Sequence, residues 1–159
     1  MPNGGRLNLT STVSEIKPLR LHVITDDCIK GLVLNINDKG NTVKNETGET
    51  VYTNIDENSL AFILRNLITN ANKFTDNGTI TIKNNRQTIS VCDTGAGMTK
   101  EQVDTLRTQG QVTSTSGTKN EAGTGLGLML IKDFLQKIKG EMFIESEPGK
   151  GTCIHIKLG

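Results

Sequence analysis

Asn66, Asn70 and Lys73 stand four and three residues apart within the most regular apolar stretch of the chain. At about 100° per residue they share one narrow stripe that flanks an apolar face. A polar stripe in that position sits at the rim of a pocket. Its two amide oxygens can ligate a hard cation, and its ammonium can hold phosphate. The plainer alternative is a solvated helix edge. A second cluster, Asp93-Thr-Gly95-Ala-Gly97-Met98, directly follows an apolar strand pattern. A carboxylate at a strand end followed by GxG offers an acceptor, with backbone that can approach a flat ligand closely. A capped glycine turn would look the same. The third cluster is Gly123-Thr124-Gly125-Leu126-Gly127-Leu128, running straight into an amphipathic segment. Glycines at a helix start leave backbone N–H groups bare, which suits phosphate oxygens. It is neither the dinucleotide fingerprint nor a P-loop, because the glycine spacing and the GK[ST] ending are absent. A flexible hinge is the competing reading. His22 and His155 stand in regular patterns with no HExxH motif or serine elbow, so acid–base catalysis by histidine is not expected.

These clusters need elements to hold them. Asp56 is predicted to cap a helix from about Glu57 to Thr75, with Leu60, Ile63, Leu64, Leu67, Ile68, Ala71 and Phe74 on its apolar face. Asn77-Gly78 ends it. Thr79 to Lys83 and Thr88 to Cys92 are predicted strands joined through Asn84-Asn85-Arg86. A short helix is expected near Lys100 to Leu106 and another from Leu126 to Ile138. Met142 to Glu145 and Thr152 to Leu158 read as a closing hairpin. In the N-terminal third, Thr12-Val-Ser-Glu15 has capping-box spacing. It predicts a helix to about Cys28 that Pro18 must kink or end. Leu32 to Ile36 and Thr50 to Thr53 are predicted strands. Thr108 to Gly123 carries almost no apolar residues and reads as a lid.

The 159 residues fit one domain. Residues 1–10 are read as a linker and 11–159 as the domain. Lys plus Arg is 18 and Asp plus Glu is 17, so no long-range field draws the chain to nucleic acid or an anionic membrane. With 3% aromatic residues, no Trp and Tyr52 alone, it lacks stacking platforms for single strands. Cys28, Cys92 and Cys153 are odd in number and more than sixty residues apart. Reduced thiols in a cytosolic setting are therefore expected. No apolar run nears the ~20 residues of a membrane helix, and the first residues lack a signal-peptide pattern.

The order and spacing of the clusters resemble the catalytic domain of sensor histidine kinases, in the GHKL superfamily of gyrase-type topoisomerases, mismatch-repair clamps and heat-shock chaperones. Asn66-Leu-Ile-Thr-Asn70-Ala-Asn-Lys73-Phe74-Thr75 is similar to the N box. The Asp93 and Gly123 clusters are similar to the two glycine boxes. Glu145-Ser-Glu147-Pro-Gly149-Lys-Gly151-Thr152 resembles the closing hairpin. The resemblance covers about Asp56 to Leu158. It implies an α/β (α+β) two-layer sandwich, a mixed sheet covered on one face by helices. It implies ATP and Mg²⁺ as ligands. Asn70 would ligate the metal, with Asn66 supporting it and Lys73 touching phosphate. Asp93 would accept the adenine amino group, and Thr152 would help through a water. Phe74, Gly95, Gly97 and Met98 would border the base. Gly123, Thr124, Gly125, Leu126 and Gly127 would hold the triphosphate under a lid spanning Thr99 to Ala122.

In the hydrolase branches of that superfamily a Glu stands where this chain has Asn66, which cannot act as a base. The resemblance therefore implies γ-phosphoryl donation to a histidine of an upstream dimerisation domain, and through that domain to a response regulator. No His-Glu-[Leu/Ile]-[Arg/Lys]-x-Pro segment occurs in the chain, so the isolated domain is expected to be a cytoplasmic monomer that binds Mg-ATP without phosphorylating itself. Whether its parent is membrane-anchored stays open. A non-catalytic nucleotide-binding pseudokinase is the alternative, since no Phe lies between Phe74 and Phe134 to pack the lid. A hydrolase clamp is a third option, disfavoured by Asn66.

Overall fold

The computed structural model describes residues 16–109 and 126–159. The Thr12–Glu15 capping box, the 1–10 linker, Gly123, Thr124, Gly125 and lid residues 110–122 lie outside them. The described elements run β1 (Lys17–Leu19), α1 (Leu21–Gly31), α2 (Val33–Asp38), β2 (Thr42–Glu46), β3 (Val51–Thr53), α3 (Glu57–Lys73), β4 (Thr79–Asn85), β5 (Thr88–Asp93), α4 (Lys100–Gln109), α5 (Leu126–Lys137), β6 (Glu141–Glu147) and β7 (Gly151–Lys157).

The main sheet has the order β2-β4-β5-β7-β6. Only the β2–β4 pair is parallel, so the sheet is mixed. Ile80, Ile82, Ile89, Val91, Ile154 and Ile156 alternate onto one face and are buried against the helices. The helices answer with Leu60, Leu64, Leu67 and Ile68 from α3, Leu21 and Ile24 from α1, and Ile131 and Leu135 from α5. This is the expected two-layer sandwich. Asp56 caps α3 by accepting the Ser59 amide at 2.8 Å; the Ser59 hydroxyl first, and then that amide, hold the Asp56 carboxyl below its usual pKa.

Three expectations change and one strand is new. Pro18 does not sit in a helix but in β1, opposite Tyr52 in a separate two-stranded ladder with β3; a residue with no N–H suits a short outlying strand, and the helix starts at Leu21. Leu32 to Ile36 is not a strand, because Val33–Asp38 is helical and buries only Ile36. A short apolar run does not distinguish the two periods, and here the helical one wins. Thr42–Glu46, with its half-polar sequence, went unrecognised as a strand; it pairs along a single neighbour, β4, at the sheet edge. Finally, Cys92 and Cys153 are not reduced. They face each other across β5 and β7, Cα atoms 4.0 Å apart, and form a disulfide. The 61-residue separation hid a pairing that only the sheet register creates. Cys28 remains free and buried, and burial pushes its thiol pKa up.

Candidate functional site

Asp93 ends β5 and is the register partner of Thr152 near the start of β7. Its side chain lies on the helix side of the sheet and is 9% exposed. Burial pushes its pKa up, while hydrogen bonds from the Gly95 and Thr152 amides and the nearby Thr75 hydroxyl oppose that rise. Both amide bonds, at 2.9 Å and 3.2 Å, fall on Oδ1. Among the described residues Oδ2 accepts no hydrogen bond of standard geometry. The Thr75 hydroxyl beside it is buried and makes no close hydrogen bond; its pull on the carboxylate is the weakest of the three that oppose the rise. A carboxylate oxygen next to such a weakly held hydroxyl offers a ligand both an acceptor and a donor.

The chain after Asp93 threads between the end of α3 and the β6–β7 hairpin. Ala96 donates its amide to the Phe74 carbonyl at 3.3 Å, and Gly149 donates to the Ala96 carbonyl at 2.6 Å. A Cβ on Gly95 would stand 2.1 Å from the Phe74 carbonyl oxygen, and one on Gly97 would stand 1.9 Å from that of Glu147. The sequence suggested that these glycines let backbone approach a flat ligand closely. Their bare Cα atoms also admit the protein's own backbone, and Gly97 adds a φ of +73°. Met98 is buried and donates its amide to Ser146 Oγ at 2.8 Å. Ser146 also meets the Thr152 hydroxyl at 2.7 Å. Ser146 thus ties the loop, the hairpin and Thr152 together, a role that its place in the hairpin motif did not reveal.

On α3, Asn66, Asn70 and Lys73 are all half-buried. Asn66 donates its amide to the Phe62 carbonyl at 2.9 Å, leaving its oxygen for other contacts. The Asn70 amide makes no hydrogen bond with the described residues, so its oxygen is available to a cation. Lys73 ends the helix, and Phe74 and Thr75 lead directly to the Ala96 and Asp93 contacts. Leu126 and Gly127 open α5, as the sequence suggested.

Asn72 was missed. It follows Ile68 by one helical turn on the buried flank, and a polar residue on an apolar stripe signals a buried hydrogen bond. Its oxygen accepts from Asn41 Nδ2 at 2.8 Å and its own amide donates to the Asn35 carbonyl at 3.2 Å. Asn41 also donates to the Thr75 carbonyl at 2.8 Å and accepts from the Gly78 amide at 2.9 Å. Lys39, nearly buried, donates to the Lys73 carbonyl at 2.8 Å. This network fixes the C-terminal end of α3, where Lys73 to Thr75 meet the Asp93 loop. A cavity of about 360 Å³ lined by Asn35, Lys39, Thr69 and Asn72 adjoins it. It lies on the other flank of α3, about 200° around the helix from Asn70, and so is separate from the candidate site.

The first part of the lid is better anchored than its composition implied. Thr99 Oγ1 accepts from the Gln102 amide at 3.1 Å and Gln102 Oε1 accepts from the Thr99 amide at 2.9 Å, a reciprocal cap on α4. Val103 and Leu106 are buried. Among the described residues no helix is long and apolar enough to cross a membrane.

Residues 55–159 match the family model described as histidine kinase-, DNA gyrase B-, and HSP90-like ATPase. The chain is 30% identical over 161 residues to the signal transduction histidine-protein kinase BarA of Escherichia coli strain K12, covering 94% of this chain and 16% of that protein's length. Among solved structures, full-length ShkA in complex with AMPPNP superposes with a TM-score of 0.71 at 20% identity, covering 91% of this chain and 31% of ShkA. The nucleotide-free catalytic domain of histidine kinase ThkA gives 0.69 at 21% identity, covering 91% and 95%. These two likenesses establish the shared fold.

Proposed function

From the premise that the chain belongs to the histidine kinase-, DNA gyrase B- and HSP90-like ATPase family, we propose that it binds Mg-ATP and donates the γ-phosphoryl group to a histidine on a separate dimerisation domain. The observation that carries this reading is Asp93: a buried carboxylate whose Oδ1 is held by two backbone amides, beside the buried and weakly held Thr75 hydroxyl. A purine amino group donates to such a carboxylate, and its ring nitrogens offer an acceptor to such a hydroxyl. A site lacking that pair rejects the ligand strongly, because buried polar groups are left unbonded on either side.

Around that anchor the roles follow from position. Phe74, Gly95, Gly97 and Met98 border the base, and Thr152 supports Asp93 through its amide and reaches the ligand through a water. Lys73 holds phosphate as a point charge. Asn70 would offer a neutral amide oxygen to Mg²⁺, with Asn66 beside it, and the cation when bound would supply charge neutralisation at the phosphates. Gly123, Thr124, Gly125, Leu126 and Gly127 present backbone amides to the triphosphate. Asn66 stands where a hydrolase needs a base and offers none, so water is not activated there. The site positions the γ-phosphate for an outside nucleophile, and positioning is most of what phosphoryl transfer requires. The acceptor histidine belongs to a partner domain that hands the group to a response regulator, and we place the domain in the cytoplasm.

The test mixes the chain with a histidine-bearing dimerisation domain and γ-labelled ATP. Label appears on the partner in an acid-labile form, and Asp93→Ala abolishes it together with the calorimetric heat of Mg-ADP binding. Equal heats for wild type and variant would overturn the purine assignment. Steady phosphate release without transfer would replace the kinase by a hydrolase.

A further inference from the structure

The open face of the sheet carries chemistry that the nucleotide site does not use. Ile89, Val91, Ile154 and Ile156 point into the helices, so Ser90, Cys92, Cys153 and His155 point to the opposite face. Cys92 and Cys153 are half-buried there, within reach of small solutes. Their disulfide lies one residue from Asp93 on β5 and one residue from Thr152 on β7. We propose that Cys92 and Cys153 form a thiol–disulfide exchange site for low-molecular-weight thiols, and that its oxidation state sets the affinity of the adjoining purine site. The coupling rests on the purine reading of Asp93.

The reaction balances with a small disulfide such as glutathione disulfide as oxidant. One cysteine thiolate attacks it, forming a mixed disulfide and releasing one glutathione thiolate. The second cysteine thiolate then attacks the protein sulfur of that mixed disulfide and releases the second. The two protein thiols lose two electrons and two protons, and two glutathione thiols form.

Coupling follows from what each side of the bridge can give. The bridge is the covalent tie on the rung next to Asp93–Thr152. Reduction removes that tie and leaves this end of the β5–β7 ladder held by hydrogen bonds alone. On one side the next row is pinned: Ser90 Oγ and His155 Nδ1 are 2.6 Å apart, and His155 Nε2 meets Glu145 at 2.7 Å. On the other side lie the strand ends, where Thr152 N to Asp93 Oδ1 is a 3.2 Å bond. The loosened rung adjoins the Asp93–Thr152 pair, which no longer has a covalent tie beside it, so the oxidised form is the tighter nucleotide binder.

The experiment equilibrates the whole chain in glutathione buffers, traps and maps free thiols by alkylation and mass, and titrates each state with Mg-ADP. Reduced protein should bind about fivefold or more weakly. A Cys92→Ser/Cys153→Ser double variant, checked for folding by circular dichroism, should match the reduced form and ignore reductant. By linkage, saturating Mg-ADP should shift the glutathione equilibrium toward the disulfide by the same factor. Equal affinity in both states overturns the proposal, as does a pair that stays reduced in glutathione disulfide. Normal oxidation with no Mg-ADP binding in either state means that the purine reading has failed, and the coupling with it. Both readouts exist in the wild type, so a misfolded variant leaves the test intact.

Discussion

Around Asp93 most polar groups are committed by the fold: the Gly95 and Thr152 amides donate to Asp93, the Met98 amide to Ser146, the Gly149 amide to Ala96, and the Ser146 and Thr152 hydroxyls meet each other. Along α3 the Asn70 amide meets no described partner, and Asn66 is held through its nitrogen alone. The proposed base end is thus assembled by folding, whereas the proposed cation end keeps side chains in reserve. Pre-organisation explains the difference. A flat neutral base needs a few fixed acceptors in a dry cleft, while a phosphate-bound cation brings its own charge and demands only available oxygens. It follows that substitutions at the first end damage fold and binding together, and substitutions at the second damage binding alone.

The largest effect expected is from Gly97→Ala. Its Cβ would strike the Glu147 carbonyl at 1.9 Å with φ at +73°, so stability should fall by about 3 kcal/mol. Thermal unfolding and Mg-ADP titration should both register the loss; intact stability would show that the loop has slack. A sharper contrast uses two neighbours on one helix. Asn72→Ala strands buried partners and should cost about 2 kcal/mol in denaturant unfolding. Asn70→Ala should change stability by less than about 0.5 kcal/mol yet weaken magnesium-dependent nucleotide binding roughly tenfold, the equivalent of ~1.4 kcal/mol. Matching stabilities for the two variants would erase the distinction between the ends.

The smallest effect concerns pH. Burial raises the Asp93 pKa, so the stability linked to its protonation is fully present below the unfolded carboxyl's pKa. It is lost as pH rises through the folded value. Nucleotide binding runs the other way, because the ionised carboxylate is the stronger acceptor. Mg-ADP affinity should decline on acidification at a pH above the ordinary Asp range, and Asp93→Asn should flatten that part of the profile. A wild-type profile unchanged through that range would remove Asp93 from the binding site.

Much of the architecture was legible because it is local. The stripe of α3, its Asp56 cap and the β4–β5 and β6–β7 hairpins rest on periods and turns that a few residues carry. The N-terminal third misled for the same reason: Leu32 to Ile36 is too short to declare its period, and Pro18 reads as a helix breaker until a strand opposite it exists. Asn72 could have been found, since it is polar on a stripe that is otherwise apolar. Ser146 could not, because its partners are Met98 and Thr152, one of them distant in sequence.

By itself the sequence determined which side chains share a helix face, where the acceptor follows its strand, and that no base stands at residue 66. Those are properties of spacing and residue type. The tertiary structure alone decided that Asp93 meets Thr152, that its glycines face backbone, and that Cys92 meets Cys153. Each depends on the register between β5 and β7, strands far apart in the chain. That register is set by burying Ile89, Val91, Ile154 and Ile156 together under the helices.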